Sequence, residues 1–396
     1  MTCPTCHSPV PEVAVYCSKC GAAVRPGATR GRPDSYAVQS SESVRQLAFV
    51  STLMPHTTRQ TGTRYRWALA LSAGLVLLFT LIGVLSAAVL AAALAVPIVF
   101  LLYLYDLNVW EDAPVPVVAG VLGITGVLGT VVSIVFYRTT FRDELYELGG
   151  SARIRAGLSE LPIGPFLLFV VLLPLLAVVV MNIGPVWLAA KPRFDDMIDG
   201  FTFGVAAGAA FAAAETIVAF SSVFSGDIRT TQGLDSWIPV ILTVMIVKAL
   251  VYATATGIAV AAFSGRGEGY DGFKPTYYAN VAFALVALVL YWGGIRLLAY
   301  TDAGLWFGFL WGSVVLALLV LRARMVLHGA LLEAALEDVA KGHRSKAAVT
   351  DDGWCPECEM PLIPDALFCV ACGQSVRAAS GDTRRQLRSA SVGGAA

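Results

Sequence analysis

Residues 67–105 read WALALSAGLVLLFTLIGVLSAAVLAAALAVPIVFLLYLY, 39 consecutive positions without a charge. A helix needs about 20 apolar residues to cross about 30 Å of hydrocarbon, so this run holds two spans rather than one. The tight turn between them is expected near Gly83 to Ser86. Further apolar segments lie outward from it at about 115–137, 164–190, 200–223, 238–263, 277–300 and 303–321, which brings the expected number of spans to eight. The implied fold is an all-α polytopic membrane protein.

Composition agrees. The chain is 57% hydrophobic and 14% charged, against about 45–50% and about 25% in ordinary soluble domains. Those values exclude a water-soluble fold. The formal net charge is zero, so the whole chain has no electrostatic reason to bind nucleic acid or another polyanion. The first thirty residues are rich in Cys, Pro and Gly and carry no visible secretory signal, so the N-terminus is expected to stay in the cytosol. An even number of spans returns the C-terminus to the same side. Arg59, Arg64 and Arg66 before the first span and Arg322 and Arg324 after the last one make that side cytosolic by the positive-inside rule. The loop 138–163 runs against this orientation, with Arg138, Arg142, Arg153 and Arg155 only partly offset by Asp143, Glu144, Glu147 and Glu160. The expected location is the cell membrane, with lipid as the first partner.

Cysteine usage divides the rest of the chain. Four of the eight cysteines lie within residues 3–20, four within 355–372, and none between. Each group repeats one formula: Cys3-Pro-Thr-Cys6, ten residues, Cys17-Ser-Lys-Cys20-Gly21, and Cys355-Pro-Glu-Cys358, ten residues, Cys369-Val-Ala-Cys372-Gly373. Two cysteines two residues apart wrap a knuckle around a metal, and two knuckles supply the four thiolates of a closed tetrahedral zinc site. A redox Cys-x-x-Cys would need a thioredoxin-like context that is absent, and a reducing cytosol disfavours disulfides. The spacing thus predicts a small zinc ribbon at each terminus and two structural Zn2+ ions. Gly21 and Gly373 suit a knuckle turn with positive φ, and His7 is read as a bystander. Modules this short cannot bury a sufficient core, so their folding is expected to be coupled to metal binding.

The organisation that follows is an N-terminal zinc ribbon (1–24), a flexible linker rich in Ser, Thr, Gly, Arg and Pro (25–66), a transmembrane core (67–321), a cytosolic amphipathic helix and linker (322–350), a C-terminal zinc ribbon (351–375) and a disordered tail (376–396). Leu327, Leu331, Leu332, Leu336 and Val339 set the period of the cytosolic helix.

One core segment carries a motif. In it Gly200, Gly204 and Gly208 recur at four-residue steps, and Glu215 follows near the same helical face. Small residues let another helix approach closely there. The segment resembles the PrsW family of glutamic-type intramembrane peptidases, whose signature reads roughly Asp-Gly-x-x-Tyr-Gly-x-x-x-Gly-x-Gly-Phe-Ala-x-x-Glu. This chain matches it at Asp199, Gly200, Gly204, Gly208, Phe211, Ala212 and Glu215. Tyr105-Asp106 and Trp110-Glu111-Asp112-Ala113-Pro114 resemble the acidic loop before the family's third span, and together the resemblance covers about residues 67–320. It implies Glu215 as the catalytic candidate.

The departures weigh against catalysis. The family's Glu-Glu-x-x-Lys motif is replaced by apolar residues in the stretch Pro174 to Met181. The family's two intramembrane histidines are also missing, because His7, His56, His328 and His343 all lie outside the core. Their counterparts fall near Lys248 or Ala249 and near Tyr291. The leading expectation is therefore a catalytically degenerate, PrsW-like protein that binds or regulates protein partners through its cytosolic ribbons. The alternatives are an active intramembrane peptidase and a small-molecule or ion transporter.

Ionisable side chains in hydrocarbon are expensive and face a bundle interior or water. Glu215 and Lys248 are expected at similar depths, roughly 12–15 Å from the outer ends of two antiparallel spans. They form either an interhelical ion pair or a hydrogen-bonded relic beside a lysine that snorkels away. Asp195 and Asp196 are read as helix N-terminal charges. Lys19, Arg25 and Arg30 are too few to make the ribbons a nucleic-acid surface.

Overall fold

In a computed structural model of the chain, the described residues contain eight helices long and apolar enough to cross a membrane. They are α1 (Arg64–Leu81), α2 (Leu85–Asp106), α3 (Val115–Thr140), α4 (Ile163–Leu167, Leu168–Leu172 and Leu173–Ala189 in succession), α5 (Met197–Ala219), α6 (Ile238–Ser264), α7 (Pro275–Ala299) and α8 (Leu305–Lys341). The structure describes these helices, most of residues 1–24, the stretch 272–274, positions 366 and 368–370, and a few isolated positions elsewhere. Nearly all of the linker 25–66, the loop 141–162, Asp195 and Asp196, the tail 376–396 and most of the C-terminal ribbon lie outside the described residues. Among the described residues there are no strands, and isolated bridges join Thr2 to Pro9 and Tyr16 to Ala23.

The bundle is layered by residue size. Gly and Ala make up 11 of the 23 residues of helix α5, and 83% of its span is buried, against 11% for α1. A helix that is apolar all round and small all round can be approached on every side, which puts it at the centre. Helix α6 is its principal neighbour, with α3, α2 and α4 packed around α5. Helix α1 packs on α2 and turns Trp67 and Leu71 outward. The turn between these two helices falls where the sequence places it, and Gly83 takes φ +77° there, a conformation that glycine adopts without steric cost.

Two helices widen into π turns. In α4 the stretch Leu168–Leu172 is π-helical, and the Leu173 N–H reaches back to the Leu168 carbonyl. Pro174 follows at once; its ring and its missing N–H disfavour an ordinary α turn here. In α6 the stretch Ile241–Val247 is π-helical and ends at Lys248, whose N–H reaches the Thr243 carbonyl.

Helix α8 runs on through residue 321. The predicted span and the predicted cytosolic helix form one unbroken helix of 37 residues. Because α8 does not end near residue 321, Ala323, Arg324, Val326 and Leu327 remain buried. The Arg322 guanidinium donates to the Asn280 side-chain oxygen at 3.2 Å. Arg324 is thus a packed residue of the bundle.

Candidate functional site

The site begins with the glycines of α5. A Cβ added at Gly200 would stand 2.7 Å from Ser264 Oγ, and one added at Gly204 would stand 2.6 Å from the Thr256 carbonyl oxygen and 2.7 Å from Gly257 Cα. One added at Gly208 would press on the backbone of Tyr252 and Ala253. Numbers fall along α6 as they rise along α5, so the two helices run antiparallel with their backbones in contact. Two turns beyond Gly208 the same register brings Glu215 to Lys248.

There the structure joins them. Lys248 Nζ contacts Glu215 Oε2 in a salt bridge, and the Tyr137 hydroxyl donates to Glu215 Oε1 at 2.6 Å. All three side chains are buried. Aromatic residues close the cluster. Lys248 Nζ lies 5.7 Å from the centroid of the Trp292 ring, and Trp292 Nε1–H donates to the Tyr252 hydroxyl at 2.7 Å. Tyr252 stacks on Phe211 with centroids 5.9 Å apart, and Phe169 meets Trp292 edge-on at 4.8 Å. The Tyr291 hydroxyl donates to the Thr243 carbonyl, the same oxygen that receives the Lys248 N–H, and so braces the π turn that aims Lys248.

Of the other motif residues, Phe211 and Ala212 are buried alongside, while Asp199 is buried in the first turn of α5, far from Glu215. Glu215 lies four residues before the end of α5, about 6 Å along its axis. That is nearer the helix end than the sequence suggested. The difference arises because α5 stops at Ala219 while α6 begins at Ile238 and extends past it. Tyr137, Tyr252 and Trp292 have no motif to announce them. Tyr137 stands beside Arg138 at a span end, where tyrosine is common as an interfacial residue.

Between α1, α2, α5 and α6 lies a cavity of about 380 Å³ lined by residues such as Leu69, Val76, Val99, Val205, Ile241 and Leu250. Its lining is apolar and includes neither Glu215 nor Lys248.

The second site is the N-terminal module. Cys3, Cys6 and Cys17 bring their sulfurs within 4.8 Å of one another. Cys6 and Cys17 sulfurs are 3.6 Å apart, too far for a disulfide at about 2.05 Å. Two thiolates of a tetrahedral site with Zn–S of about 2.3 Å stand roughly 3.8 Å apart, so the donor set fits zinc. Backbone bonds shape the knuckles: Cys3 N–H to Ser8 O at 2.9 Å, His7 N–H to Cys3 O at 3.0 Å and Cys17 N–H to Ala22 O at 2.8 Å. Residues 2–24 match a zinc-ribbon domain. No curated protein and no solved structure matches the chain. Within this ribbon His7 has φ 56° directly after Cys6, the place Gly21 takes after Cys20, so His7 supplies a turn. Cys20, Cys355, Cys358 and Cys372 lie outside the described residues, and Cys369 is buried.

Proposed function

We propose that this protein is a non-cleaving, membrane-embedded binding or regulatory protein with a PrsW-like core, whose terminal zinc ribbons are cytosolic docking modules for protein partners. The observation that carries the reading is the state of Glu215. Both of its carboxylate oxygens are engaged, one by Tyr137 and one by Lys248, in a packed interior. Hydrolysis by carboxylates needs one group to activate water and another to protonate the leaving amine, both within hydrogen-bond reach of the peptide. Asp199, the other acid of α5, lies sixteen residues earlier, about 24 Å along the helix.

The likeness to PrsW rests on the run from Asp199 to Glu215. It gains support from Lys248 and Tyr291, near the positions where the family carries histidine, because both belong to the assembly around Glu215. A lysine at the first of these positions neutralises the carboxylate in place. A transport reading needs a polar route past Glu215 and Lys248, and the apolar cavity favours none.

The test is incubation of zinc-loaded protein in liposomes with a panel of single-span membrane proteins. The expected result is that they stay intact. Cleavage present in wild type and lost in Glu215→Ala would replace this reading with an active intramembrane peptidase.

A further inference from the structure

Residues 15–18 and 368–370 lie side by side although nearly the whole chain separates them. The Tyr16 N–H donates to the Val370 carbonyl at 3.0 Å, and the Phe368 N–H donates to the Ser18 carbonyl at 3.1 Å. Cys3 to Cys355 and Cys17 to Cys369 are both steps of 352 positions, and under that step Tyr16 corresponds to Phe368 and Ser18 to Val370. The two hydrogen bonds are therefore one bond made twice. In each module the aromatic residue before the third cysteine donates to the residue after the third cysteine of the other module. That is the reciprocity of an isologous contact, here within one chain.

The contact also supplies apolar cover. Among the described residues the N-terminal ribbon has a small core of Cys3, Val10, Ala14 and Cys17, and Val370 packs against it. The Val15 N–H also donates to the Val370 carbonyl, at 2.9 Å. On the other side Ala366, Phe368 and Cys369 are buried. Cys17 sits between the donor Tyr16 and the acceptor Ser18, and Cys369 sits between Phe368 and Val370. A metal held by either cysteine fixes the edge that the other module needs.

We infer that the two terminal ribbons form one pseudo-two-fold pair through their second knuckles, in which each completes the other's fold and strengthens its hold on zinc. The pairing brings both chain ends to one side of the membrane, as eight spans require. It is independent of the role assigned to Glu215.

The experiment is metal competition against a chelator, using cobalt and zinc, on the full-length protein in detergent, with amide hydrogen exchange as a second readout. Cys355→Ser/Cys358→Ser removes donors from the C-terminal module but leaves the contact residues in place. The N-terminal ion is expected to be held at least about tenfold less tightly in this variant. Val370→Asp, which keeps all the cysteines, should do the same, and Val370→Ile should bind as wild type does. Exchange at the Tyr16 amide should rise when the C-terminal donors are lost, and exchange at the Phe368 amide should rise in the mirror variant Cys3→Ser/Cys6→Ser. N-terminal affinity within about twofold of wild type in both Cys355→Ser/Cys358→Ser and Val370→Asp, or exchange at Tyr16 indifferent to the C-terminal ion, overturns the pairing.

Discussion

Gly208 of α5 lies so close to α6 that a carbon added to its Cα would stand 2.6 Å from the Cα of Ala253. No L-residue side chain fits there without parting the helices. Gly208→Ala and Gly204→Ala are each expected to cost about 1–3 kcal/mol through overpacking, read as a lower unfolding temperature in detergent. Gly120→Ala and Gly123→Ala are the controls, because nothing stands within 4 Å of the added carbon. They should leave stability unchanged or raise it slightly, since alanine is the better helix former.

Removing one partner of the buried pair leaves the other charged and uncompensated. Glu215→Gln and Lys248→Met are each expected to lower stability by about 3 kcal/mol, and the double substitution should cost less than either alone. A double-mutant cycle in detergent measures the difference. Strictly additive costs would show that the two side chains do not depend on each other.

Tyr137 holds the oxygen of Glu215 that Lys248 does not reach. Tyr137→Phe keeps the ring packing against Phe136 and Phe169 but orphans that oxygen. The expected loss is about 1–3 kcal/mol, the cost of an unsatisfied buried acceptor. A change indistinguishable from zero would mean that water enters the cluster to replace the hydroxyl.

His7 makes a backbone prediction rather than a ligand prediction. With φ at 56°, His7→Gly and His7→Asn should keep wild-type zinc affinity in chelator competition. His7→Val should weaken binding by about 1–2 kcal/mol, because a β-branched residue is strained in the left-handed region. Equal losses in all three variants would instead point to the imidazole itself.

Much of this architecture can be read from residue order alone, and the reason is the solvent. Hydrocarbon permits no charge and no unsatisfied backbone, so a run such as 67–105 has few conformations open to it. The contact of α5 with α6 is legible for a related reason, because three glycines at four-residue steps open one face of the helix to a backbone-close neighbour. The zinc knuckle is legible because its spacing is set by metal geometry. Features that depend on distant partners are hidden. Tyr137 is 78 residues from Glu215 in sequence, and nothing in its neighbourhood marks it. The π turn before Lys248 is held by Tyr291 from another helix. The helical pattern past residue 321 is legible too, but the change from apolar to amphipathic there alters what a helix touches and does not tell that Ala323, Arg324 and Leu327 pack in the bundle. The ribbon contact uses backbone atoms, which every residue has, and so leaves almost no trace in side-chain identity.

Helix α8 is 37 residues long, about 55 Å, and the hydrocarbon layer accounts for only about 30 Å of that. Some 25 Å of continuous helix is left over as a stiff lever rooted in the bundle. Its root is gripped where Arg322 meets Asn280 and where Arg324 is enclosed. A small tilt imposed there by lateral pressure or by a neighbouring span becomes a displacement several ångströms wide at the far tip, and a push on the tip is carried back to the core with the same leverage.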